Sequence, residues 1–78
     1  MIPILDLHGT KHEEVQNEVA RFLSLWMGKN LFADIITGHS EAMSALVLKV
    51  VTAHGLEYNT GMPGYPGMIR VVMYDEFH

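Results

Sequence analysis

Apolar and polar positions follow two rhythms along the chain, and the points where one gives way to the other divide it into six elements. Residues 2 to 7, Ile-Pro-Ile-Leu-Asp-Leu, form a short apolar run ending at His8-Gly9, which suits a strand leaving a sheet through a turn. Thr10-Lys-His-Glu13 then fits S/T-x-x-E, the capping box that satisfies orphan N–H groups at a helix start. Apolar residues next recur at Val15, Val19, Phe22, Leu23 and Trp26, with Ala20 beside them. That spacing is one helical stripe, and Gly28 is a natural stop just past its end.

A second strand is predicted over Leu31-Phe-Ala-Asp-Ile-Ile-Thr-Gly38, again leaving through glycine. Ser40 can N-cap a second helix, and Glu41 puts negative charge at the positive end of its dipole. Met43, Leu46, Val47, Val50 and Val51 repeat at helical spacing up to His54-Gly55. Leu56-Glu-Tyr58 predicts a short strand and Met68 to Tyr74 a stronger one. Between them Pro63-Gly64 and Pro66-Gly67 suit the central positions of type II turns.

The order β-α-β-α-β-β, with helices of about 14 to 18 residues, predicts an α/β fold. The first strands are expected to be parallel and joined by right-handed crossovers, with a closing antiparallel strand. Two helices cannot cover both faces of a four-stranded sheet. The expected architecture is therefore a two-layer α/β sandwich: a mixed four-stranded sheet with two helices on one face and the other face partly open. With 78 residues, one domain spanning 1–78 is all the length allows.

Composition adds a compartment and an objection. The chain has no Cys, so neither disulfides nor thiolate chemistry are available, which fits a reducing, cytoplasmic setting. The first eight residues lack a basic region, and no stretch of about 20 apolar residues occurs, so no membrane segment is expected. Five Lys+Arg stand against nine Asp+Glu, for a formal charge of -4. That balance disfavours tight, extended, sequence-independent binding to nucleic acid, which needs clustered cations.

Ligands of such sheets collect at the carboxyl ends of parallel strands, where loops turn into helices. Two such ends are predicted, at Leu5-Asp-Leu-His-Gly9 and at Ile36-Thr-Gly-His-Ser40. Strand alternation puts Asp6 and His8 on one face, with Leu5 and Leu7 turned toward the helices. Asp6 could hold one tautomer of His8, leaving the other ring nitrogen for general acid–base work; the alternative is a polar rim on an open face. Gly9 and Gly38 could let backbone approach an anion, or serve as plain turn residues. The five His show no zinc-ligand spacing, although Asp6 could carry a loosely held Mg²⁺. Tyr65 could stack on a base, or belong to an ordinary loop. Arg70 shares a strand face with Val72 and Tyr74; on the open face it would lie near Asp6 or His8, or form a surface ion pair. Ile4, Val72 and Tyr74 on that face could instead be covered by a second copy, giving a homodimer, or by a larger protein partner.

Leu5-Asp6-Leu7-His8-Gly9, then Ile35-Ile36-Thr37-Gly38 before a helix, then Pro66-Gly67-x-Ile-Arg-Val71 resembles the Smr (small MutS-related) domain, in that order and over almost the whole chain. The resemblance implies a β-α-β-α-β-β sandwich similar to the C-terminal domain of bacterial translation initiation factor three. It also implies endonuclease activity on DNA or RNA, with Asp6 and His8 as catalytic residues and Thr37 and Gly38 matching the second motif. Gly9, His39, Ser40 and Arg70 complete the expected phosphate-binding set. The second motif departs from the family pattern T/H-G-x-G-x-H-S, since here Thr37-Gly-His-Ser40 is shorter and has no second glycine. A non-catalytic module that binds nucleic acid or another phosphate ligand at the same loops is the alternative.

Overall fold

A computed structural model describes residues 1–61, 64 and 67–73. Six elements follow in the predicted order: β1 (Ile4–Asp6), α1 (His12–Trp26), β2 (Phe32–Ile36), α2 (Glu41–Ala53), β3 (Glu57–Asn59) and β4 (Met68–Val72). They form the expected small α/β sandwich, with a mixed four-stranded sheet in the order β1-β2-β4-β3. β1 and β2 are parallel, and β4 runs antiparallel to both β2 and β3.

The last strand is antiparallel, as expected, and lies inside the sheet between β2 and β3. Composition explains this position. β4 carries Ile69, Val71 and Val72 and can use hydrogen bonds on both sides, whereas Glu57, Tyr58 and Asn59 of β3 are all exposed and polar enough for an edge.

One apolar cluster holds the layers together. α1 contributes Val15, Val19, Phe22 and Leu23, and α2 contributes Met43, Val47, Val50 and Val51. The sheet answers with Ala33, Ile35, Ile69 and Val71, and the ends of β1 and β4 add Leu7 and Met73. Leu7, Leu23, Ile35 and Met73 are each at most 1% exposed, and burying such a side chain fully stabilises by roughly 1.5–3 kcal/mol. Both helices therefore cover the same sheet face. Alternation sends Ile4, Asp6, Phe32, Asp34, Ile36 and Arg70 to the other face, where the register aligns Ile4, Asp34, Arg70 and Asn59 across all four strands.

The helices differ in how they begin. Ser40 Oγ accepts the Met43 N–H at 3.1 Å, so the predicted N-cap of α2 is present. α1 starts at His12, with Lys11 in the cap position and no side-chain cap bond, and not at a Thr10–Glu13 capping box. The reason is local: the Thr10 N–H donates to Leu7 O at 2.9 Å, so Thr10 still belongs to the turn leaving β1. Gly28, with φ +79°, ends α1 as its sequence position implied. The helices have 15 and 13 residues, the second just under the expected span. The strands are also shorter than, or offset from, the apolar runs that announced them; Tyr74 lies outside the described residues. No helix among the described residues is long and apolar enough to cross a membrane.

Candidate functional site at the strand ends

Parallel pairing sets the ends of β1 and β2 level. Asp6 is opposite Ile36, and the Leu7 N–H donates to Ile36 O at 2.9 Å. The segments Leu5–Gly9 and Ile36–Ser40 therefore leave the sheet side by side, which brings the two sequence motifs together. Leu7 is buried while Asp6 and His8 are exposed, as alternation required.

The relation between Asp6 and His8 differs from the expected one. Asp6 Oδ1 accepts the backbone N–H of His8 at 2.9 Å. A short carboxylate two residues before an unpaired amide closes this turn easily. Asp6 thus braces the main chain, and no bond joins its carboxylate to the His8 imidazole.

The β2–α2 turn is built more tightly. Gly67 O accepts the N–H groups of Thr37 and Gly38, at 2.7 and 3.1 Å, and also the Thr37 hydroxyl, at 3.1 Å. Ser44 Oγ donates to Thr37 Oγ1 at 3.1 Å. Gly67 has φ +78°, and a Cβ there would stand 2.6 Å from Gly38 O. Only glycine permits two backbones to approach this closely. Two expected roles change accordingly. The Gly38 N–H, assigned to a phosphate, is taken by Gly67, and Thr37, 4% exposed, ties β2 to the strand that follows the loop. The N–H groups of Gly9 and His39 have no protein partner among the described residues. His39 is exposed, and Ser40 uses an oxygen lone pair to cap α2.

Thr37, Gly38, His39 and Ser40 line an open cleft of about 460 Å³ together with Ser44, Ala45, Leu48, Met68 and Ile69. Asp6, His8, Gly9 and Arg70 do not line it. The predicted residues therefore occupy three places: the exposed β1 end, the cleft beside α2, and the open sheet face.

On that face Arg70 grips Asp34 with both arms, Nε to Oδ1 at 2.8 Å and Nη2 to Oδ2 at 3.0 Å. Its guanidinium also lies 5.4 Å from the centroid of Phe32. The expected placement near Asp6 or His8 is corrected by the register, which sets Arg70 opposite Asp34, with β2 between it and β1. Asp34, only 5% exposed, is the residue that sequence reasoning passed over. Its signal was a lone carboxylate within Phe32-Ala-Asp-Ile-Ile36, which a buried strand retains only with a cationic partner. Of the residues expected to attract a protein partner, Ile4 is 60% exposed and Val72 half-buried. The ion pair joins β2 to β4, the strand of Val72 itself. Tyr65 and Tyr74 lie outside the described residues.

No family model, curated protein or solved structure matches the chain. Geometry and side-chain chemistry are thus what support a function. No group of three or more His, Cys, Asp or Glu able to hold a metal forms among the described residues. A cation at Asp6 would have to compete with the His8 amide for one carboxylate oxygen and draw its other ligands from water or substrate.

Proposed function

We propose that this chain is an Smr-like cytoplasmic domain that engages the phosphodiester backbone of nucleic acid at the carboxyl ends of β1 and β2 and cleaves it there. The observation that carries the reading is the parallel register of Asp6 with Ile36, because it puts both motifs of the resemblance at one edge of the sheet. His8, exposed beside the Gly9 turn, moves the proton between attacking water and leaving oxygen. The N–H groups of Gly9 and His39 hold the phosphoryl oxygens, with the dipole of α2 behind His39. Asp6 keeps its second carboxylate oxygen for Mg²⁺ or for the imidazolium.

A binding module without turnover is the second reading, and one observation favours it: the Asp6 carboxylate is bonded to the backbone of His8 and not to its ring. The two are separated by incubating the protein with supercoiled plasmid and with structured RNA, with and without Mg²⁺. The nuclease reading expects His8→Ala to lose at least about 100-fold in cleavage, the usual contribution of a positioned acid or base. Equal rates for wild type and variant on both substrates remove catalysis at this site. Binding measured alongside is expected to depend weakly on salt, since few cations contact phosphate.

A further inference from the structure

The direction of a hydrogen-bond chain gives the cleft beside α2 a definite chemical preference. Thr37 Oγ1 lies 3.1 Å from Gly67 O and 3.2 Å from Gly38 O. A carbonyl oxygen only accepts, so the single Thr37 hydroxyl proton must point to these carbonyls. The bond between Ser44 and Thr37 can then run only one way, with Ser44 donating. Ser44 Oγ is left with its lone pairs, to which no described residue donates, on a half-buried side chain that lines the cleft. Glu41, in the first turn of α2 and also lining the cleft, is an acceptor when ionised. Leu48, one turn further along α2, and Met68 and Ile69 of β4 supply apolar surface. The volume, about 460 Å³, is of the size that takes small organic groups.

We infer that this cleft is a nucleobase subsite that selects adenine or cytosine, which carry an amino group where uracil carries the O4 carbonyl, over uracil. A flat heterocycle fits the apolar wall, and its amino N–H groups meet the acceptors that Ser44 and Glu41 present. The carbonyl at the corresponding edge of uracil would face lone pairs with lone pairs, so the bond to Ser44 would not form. The inference rests on the nucleic-acid reading above and adds to it a base preference at a place separate from Asp6 and His8. The phosphate is held at the strand ends, while the cleft reads the base beside it.

The test uses single-stranded RNA homopolymers of equal length, so that phosphate contacts are constant, and the phosphate-free nucleosides. Oligo(A) and oligo(C) are expected to bind about fivefold more tightly than oligo(U), the effect of one net hydrogen bond. Adenosine and cytidine, but not uridine, are expected to shift the amide resonances of residues 44, 45 and 48. Ser44→Ala should remove the preference, so that oligo(A) and oligo(C) bind no more tightly than oligo(U). Ala45→Leu, which narrows the cleft without touching the hydroxyl chain, should do the same and serves if Ser44→Ala does not fold. Equal affinity for all three homopolymers overturns the base subsite and leaves the phosphate reading standing. Binding to none of them, nor to plasmid or structured RNA, removes both.

Discussion

The two turns that leave the parallel strands occupy equivalent positions and are built on opposite principles. The turn after β1 is held mainly by its own residues, through the Asp6 carboxylate on the next-but-one amide and a Thr10 to Leu7 backbone bond. The turn after β2 is held by residues far along the chain: Gly67 O gathers three donors, and Ser44 anchors the hydroxyl that supplies one of them. A locally closed turn can adjust to what binds it. One clamped from outside is preorganised, and the cleft beside it is already shaped.

The sharpest way to break this contrast is a pair of identical substitutions. Gly9 and Gly67 have nearly the same backbone conformation, φ +83° and +78°, but a Cβ on Gly9 would meet nothing within 4 Å while one on Gly67 would strike the Gly38 backbone. Gly9→Ala should therefore cost only the left-handed penalty, about 1 kcal/mol. Gly67→Ala adds a backbone clash and should cost about 3 kcal/mol or more. Urea midpoints for the two variants decide the matter, and equal losses would show that Gly67 does not clamp the turn.

Thr37→Val comes next in size. It keeps the shape of the side chain but deprives Ser44 of its acceptor and Gly67 O of one donor, for an expected loss of about 1.5 kcal/mol by the same measurement. Asp6→Ala should have the smallest effect, about 0.5 kcal/mol, because the amide it releases is exposed and turns to water. A Thr37 variant no less stable than the Asp6 variant would mean that the buried hydroxyl chain contributes little to holding its turn.

Much of the fold could be read from the chain because local rules and packing agree there. The stripe from Val15 to Leu23 is both helical in spacing and buried, and Ser40 is both a preferred cap residue and the cap. Thr10 misled because a capping box is a pattern of four residues. Which of them is the cap was decided by a backbone bond to Leu7 that no spacing reveals. The position of β4 was hidden for a related reason: strand order depends on which edge the final hairpin presents, and the only clue was how polar β3 is beside β4. At the candidate site, the exposure of Asp6 and His8 followed from alternation. The role of Asp34 did not, since it depends on a register joining residues 36 apart in the chain. Thr37 was selected for its chemistry, but its partners, Ser44 and Gly67, are set by tertiary contact alone.

That late pairing bears on how the molecule is made. β4 supplies hydrogen bonds to both β2 and β3, so until residues 68–72 have been synthesised the sheet is only the β1–β2 pair. The inner edge of β2, with Ala33 and Ile35 among its residues, has no ladder to join before then, and the two helices have half a platform. Such a chain emerges from the ribosome with one of its two inner strands still to come. Its folding waits on long-range closure, and nascent copies carry an open strand edge from the completion of β2 until β4 has been made.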